Sequence, residues 1–112
     1  MKEIIIDGQA NVPKQEMCSD YKLIRTYSAG VFFAKIEKRE GKEAVLRDAI
    51  RIWYWEGAYS LSELAVNGTC RPDKCKFAIP VDTIELTEVI EVLSVTEKAK
   101  NSILGVPSWT RQ

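Results

Sequence analysis

The sequence predicts an α+β domain that is mainly β: a small antiparallel sheet, arranged as a sandwich or partly open barrel, with one or two short helices at about 60–67 and 97–103. Three observations carry this expectation. Runs rich in β-branched and aromatic residues, such as Val31-Phe32-Phe33-Ala34-Lys35-Ile36-Glu37, recur between Gly and Pro punctuation. The polar run from Lys38 to Lys42 contains Gly41, which can take positive φ and turn the chain between two such runs. Ser60-Leu61-Ser62-Glu63 has the spacing of a helix capping box.

The elements follow in order. Lys2 to Ile6 reads as a short strand, and Gly8, Asn11 and Pro13 lead from it into a loop, so residues 1–20 form an N-terminal strand and loop segment ahead of a single globular domain at 21–112. From Tyr21 the chain alternates, with Tyr21, Leu23, Arg25 and Tyr27 on one side and Lys22, Ile24, Thr26 and Ser28 on the other. After Gly30, the Val31–Glu37 strand pairs through the Gly41 turn with a second arm from Glu43 to Trp55. There Ile50, Ile52 and Tyr54 share one face, and Arg51, Trp53 and Trp55 the other. Leu46, Ala49, Ile50 and Trp53 also fit a helical period, but the turn and the aromatic density favour strand.

Tyr59 and Leu64 occupy the hydrophobic staple positions around the capped helix, which Asn67-Gly68 ends. Arg71-Pro72-Asp73-Lys74 turns the chain into an edge strand, Phe77 to Val81, because Pro80 cannot donate to a ladder. Thr83 to Val95 follows as a strand that Glu88 interrupts, with Ile84, Leu86, Ile90 and Val92 on one face; its helical alternative is disfavoured by its Val, Ile and Thr content. Thr96 caps a helix through Glu97, Ala99 and Ile103, stopped by Gly105 and Pro107, and the residues around Trp109 form a tail.

Composition narrows function mainly by exclusion. With 46% hydrophobic and 29% charged residues, the 112-residue chain has enough apolar surface to fold as one domain. Sixteen Lys and Arg balance sixteen Asp and Glu, so no basic tail points to nucleic acid. The opening residues Met1 to Asp7 are too short an apolar stretch for a signal peptide or membrane span, which predicts a cytoplasmic protein with no membrane role. The chain has no histidine, which removes Ser-His-Asp and Cys-His nucleophile activation and every His-containing metal motif. No catalytic residue, metal or cofactor is expected.

Cys70 and Cys75 stand at a zinc-ligand spacing and Cys18 could add a third thiolate, but no fourth ligand is evident, so ordinary reduced thiols are expected. Asn67-Gly68-Thr69 matches a glycosylation acceptor but is read as the helix exit. Asp82, Glu85, Glu88 and Glu91 are read as a solvated face.

Recognition chemistry concentrates in Arg51-Ile52-Trp53-Tyr54-Trp55-Glu56-Gly57, because Trp, Tyr and Arg dominate binding hot spots. Arg51, Trp53, Tyr54 and Trp55 are therefore the candidate binding residues. An extended backbone would split the two tryptophans from Tyr54, leaving at least one ring exposed beside Arg51 unless a second layer covers both faces.

Several stretches together resemble a family of small proteins encoded by bacteriophages and prophages, a domain of unknown function. The resemblance lies in Tyr27-Ser28-Ala29-Gly30-Val31, Arg51 through Ala58, Ser60 through Ala65, Lys76-Phe77 with Pro80-Val81, Leu86 through Glu91, and Glu97-Lys98-Ala99. It covers the chain from about Tyr21 onward and implies a phage-type origin and action inside a bacterial cell; it implies no catalytic residue. The function expected is a non-enzymatic interaction module that binds an unknown protein partner or itself. The alternative is a single-stranded nucleic-acid binder that stacks Trp and Tyr on bases, with Arg51, Lys74 and Lys76 on phosphate.

Overall fold

A computed structural model of the protein describes residues 18–111. The strand expected at Lys2 to Ile6 lies outside them. Six strands and two helices follow in the order β1 (Cys18–Thr26), β2 (Val31–Glu40), β3 (Glu43–Tyr54), α1 (Leu61–Asn67), β4 (Lys76–Phe77), β5 (Val81–Leu86), β6 (Val89–Thr96) and α2 (Glu97–Leu104), with a 3-10 turn at Pro72–Lys74. The sheet is antiparallel and curls into a half-barrel: β3 pairs with β2, β2 with β1 and β1 with β6. β4 and β5 share the remaining edge of β3, β4 at Ile52–Tyr54 and β5 at Ala44–Ala49.

Both faces of this sheet are covered, which is why β1 shows no clean polar side. On one face Tyr21, Leu23, Phe33, Ile50, Ile52, Phe77 and Val95 pack against Leu64 and Ala65 of α1 and Ala99 and Ile103 of α2. On the other, inside the curl, Ile24, Phe32, Ala34, Ala44, Leu46, Ala49, Leu86 and Val89 form a second cluster. The Val89 N–H donates to the Lys42 carbonyl at 2.9 Å, bringing the tip of the β2–β3 hairpin to the start of β6.

Register shifts decide which side chains reach each core. Phe33 pairs with Ile50 but Lys35 with Arg47, so Asp48 and Ala49 oppose one residue of β2, and Asp48 takes φ of 51°. This bulge reverses the parity of β3: Ile50 and Ile52 face the helices, while Leu46 and Ala44 face the inside of the curl.

A second shift, between the pairs Arg25–Glu91 and Thr26–Val89, turns Val89 inward and leaves Ile90 exposed. The expected common face of Ile84, Leu86, Ile90 and Val92 is thereby corrected, since Val89 stands in place of Ile90 beside the other three. The segment read as one interrupted strand, Thr83 to Val95, is two strands joined at Thr87–Glu88. The edge strand expected at Phe77 to Val81 shrinks to Lys76–Phe77, because Pro80 ends it and β5 begins at Val81.

The helices fall where the sequence places them. The Glu63 N–H donates to Ser60 Oγ at 3.0 Å, and the Glu63 carboxylate accepts from the Tyr59 N–H at 2.7 Å. Gly68, at φ of 76°, closes α1 by donating its N–H to the Leu64 carbonyl. Thr96 Oγ1 accepts from the Ala99 N–H at 3.0 Å and caps α2. The hydrophobic staple is not made, since Tyr59 stands fully exposed while Leu64 is buried.

Candidate functional site

The four residues singled out from the sequence lie at the carboxyl end of β3, and the structure divides them three to one. The strand assignment from Glu43 onward holds, but the facing of its last residues does not. Ile52 pairs with Phe77 and Tyr54 with Lys76, so β3 advances two residues while β4 moves one. Such an irregularity brings neighbouring side chains onto one side of a strand. Trp53 and Tyr54 consequently share a surface with Lys76, and Trp55, just past the strand, packs against the helix-side core with Ile50 and Ile52. The expected grouping of Trp53 with Trp55 opposite Tyr54 is corrected.

Trp53 is 68% exposed and its ring stacks on Trp109, with centroids 6.4 Å apart and an interplanar angle of 20°. The Lys76 ammonium sits 5.2 Å from the Trp109 centroid and 5.9 Å from that of Tyr54. Cations in this position are attracted by the negative face of the ring. Arg51 is exposed on the same side, its guanidinium 4.9 Å from the ring of buried Phe32. Among the described residues, neither Arg51 nor Lys76 lies within 4.0 Å of a carboxylate, whereas Arg25, Lys35, Arg47 and Lys100 do.

The Tyr54 hydroxyl donates to Glu56 Oε2 at 2.6 Å, which holds the phenol proton and raises its pKa above the ordinary tyrosine value. Partial desolvation and the Glu56 charge act in the same direction.

Trp109 is the member that sequence reasoning missed, having placed it in a tail. The segment after α2 returns to the sheet: Ser108 bridges Phe77 in parallel, and the Trp109 N–H donates to the Phe77 carbonyl at 2.8 Å. The available signal was Val106-Pro107-Ser108-Trp109 itself, since a large apolar ring in a terminal segment gains most by packing on another ring.

Trp55 is held from behind. Its indole N–H donates to the Ala58 carbonyl at 3.2 Å, and Gly57 turns the loop at φ of 90°. A Cβ on Gly57 would come within 2.6 and 2.7 Å of the Arg71 and Cys70 backbone nitrogens, so only glycine allows this approach. The Thr69 hydroxyl donates to the Glu56 carbonyl, which ties the glycosylation-like triplet into the same loop.

Cys70 and Cys75 are both free thiols. Buried Cys75 has its Sγ 3.5 Å from the carbonyls of Glu56 and Arg71, and exposed Cys70 has its own 3.6 Å from the Gly57 carbonyl. Among the described residues, no three His, Cys, Asp or Glu side chains gather as metal ligands. The acidic run is engaged at the surface, where Glu88 accepts from Ser28 and Glu91 pairs with Arg25, each at 2.8 Å. No described helix is long and apolar enough to cross a membrane.

The arrangement gives an exposed aromatic surface with a lysine ammonium over two of its rings. No curated protein and no solved structure matches the chain. Residues 19–103 match the family described as Domain of unknown function (DUF6948), and as this is well over half its length, the chain belongs to that family.

Proposed function

We propose that this is a non-enzymatic interaction module whose contact surface is built from Arg51, Trp53, Tyr54, Lys76 and Trp109, and that its partner is another protein. The observation that carries this reading is the cluster of three exposed rings about Lys76, with Arg51 two residues before Trp53 on the same strand and neither cation having a carboxylate partner among the described residues. Trp, Tyr and Arg supply most of the energy in protein interfaces, and rings left in water have the most to gain from association. The resemblance noted from the sequence supports a phage or prophage protein acting in the cytoplasm of a bacterial host, on a host or phage protein or on a second copy of itself. Trp55 serves the core and is not part of the contact.

A single-stranded nucleic acid is the second reading, favoured by Lys76 lying over two rings at once, an arrangement that could combine stacking with phosphate contact. The net charge of zero weighs against it.

A photo-crosslinking residue at position 54 in the full chain, expressed in the host, is expected to join a defined protein, and Trp53→Ala in the same chain to remove that adduct. Because Trp53 is mostly solvated, the variant should stay folded, with stability lowered by about 1 kcal/mol through the lost stacking. Sedimentation of both chains separates self-association from a foreign partner. Unchanged adducts and unchanged assembly in Trp53→Ala would sink the proposal. A salt-dependent gel shift with oligothymidine, without a protein adduct, would transfer the surface to the second reading.

A further inference from the structure

The residues following α2 occupy this surface in the manner of a bound peptide. Ser108 extends the sheet by one parallel bridge on β4, the Trp109 N–H donates to the Phe77 carbonyl, and the Trp109 ring stacks on Trp53 and lies 5.2 Å from the Lys76 ammonium. Main-chain pairing with an edge and a large side chain in an adjoining pocket are the two components of strand-addition recognition. From these contacts we infer that the edge of β4 is a docking site for an extended segment of a partner protein, one with an aromatic residue at the position of Trp109 and an acidic residue soon after it. The inference rests on the interaction-module reading and names the kind of partner, whose aromatic residue takes over the part of the surface that Trp109 fills in the free protein.

Two observations fix that chemistry. The exposed face of Trp53 is already stacked by an aromatic ring, so a second aromatic residue can take the same place. The strap supplies no carboxylate to this surface: Thr110 and Arg111 follow Trp109, while the Lys76 ammonium, 5.2 Å from the Trp109 ring, has no carboxylate within 4.0 Å among the described residues. A segment with a carboxylate in that place adds an attraction to Lys76 that the strap does not make. The strap is also lightly held: beyond Val106, which is buried, residues 107–111 are exposed, with Trp109 still 52% accessible. Its hold is that of a tethered ligand at millimolar effective concentration, which a segment with the same backbone pairing and better charge displaces.

The test is an NMR titration of the full chain with two synthetic peptides. The first copies residues 105–112, Gly-Val-Pro-Ser-Trp-Thr-Arg-Gln; the second replaces its arginine by glutamate. Trp109→Ala removes the internal occupant's anchor. Both peptides should shift the Lys76 and Phe77 amides of that variant, saturating at concentrations at least tenfold lower than in the wild type. The glutamate peptide should bind at least threefold more tightly than the arginine peptide, an advantage that fades with added salt. Should Trp109→Ala lose its native amide dispersion, Trp109→Leu takes its place, retaining apolar cover without the ring.

Equal titration of wild type and variant, or silence in both, would overturn the inference. So would shifts at these amides with oligothymidine and none with peptide. If the peptides fail while Trp53→Ala still abolishes the cellular adduct, the partner class is wrong and the interaction surface stands. If Trp53→Ala also changes nothing, the surface reading itself falls.

Discussion

The Tyr54 hydroxyl shows how a single contact adjusts the exposed aromatic surface. Its proton is shared with Glu56 Oε2 at 2.6 Å, so the phenol ionises above the ordinary tyrosine value. A group whose folded pKa is raised adds stability below its unfolded pKa of about 10 and loses it as pH rises through the folded value. Glu56→Gln should therefore move the ultraviolet titration of Tyr54 back toward free tyrosine, and should remove the part of the stability decline that wild type shows above about pH 10. A titration curve identical in both proteins would rule out the hydrogen bond as the cause. The composition of this surface could be read from the sequence, since Arg51, Trp53 and Tyr54 all belong to it. Their facing could not: the shift between Ile52 and Tyr54 depends on where two-residue β4 meets the end of β3, a non-local pairing with no local signature. Trp109 was missed for the same reason, because its partner lies far away in the chain.

Among the elements, β3 carries the decisive irregularity. Without the bulge at Asp48, strict alternation would place Leu46 on the same face as Ile50; with it, Leu46 enters the inner core and Ile50 the helix-side core. Asp48 tolerates its positive φ better than most side chains do, and its carboxylate lies 3.4 Å from the Lys35 ammonium, which raises the lysine pKa. Asp48→Gly should stay within about 0.5 kcal/mol of wild type, whereas Asp48→Val, with a branched Cβ at positive φ, should lose roughly 1–3 kcal/mol. Deleting residue 48 should abolish cooperative folding, because it forces either the Ala44–Leu46 set or the Ile50–Ile52 set onto the wrong face. Urea unfolding followed by circular dichroism checks all three, and a deletion variant with a native midpoint would refute the parity argument. The caps of α1 and α2 were readable because a cap is made within four residues of chain. The bulges and the shortened edge strand were not, since they arise from pairing partners far away in sequence.

Across the whole molecule, two apolar clusters share one sheet. Phe32 and Phe33 are adjacent and both fully buried, yet Phe32 belongs to the inner core and Phe33 to the helix-side core. β1 divides in the same way between Ile24 and Leu23, and β3 between Ala49 and Ile50. Neither cluster can come apart without disturbing the backbone that presents the other, so the described residues should unfold as one cooperative unit. The protein carries its own reporters for this. Its three tryptophans all lie around the end of β3, Trp55 against the helix-side core and Trp53 and Trp109 stacked at the surface, while the far-ultraviolet signal averages over the entire sheet. Fluorescence and circular dichroism should therefore give the same urea midpoint and the same slope. Leu46→Ala, deep in the inner core and away from every tryptophan, should lower both midpoints together by an amount equivalent to about 2–5 kcal/mol. If that substitution shifted the dichroism transition and left the fluorescence transition in place, the two cores would be separate folding units, and the sheet would not couple them.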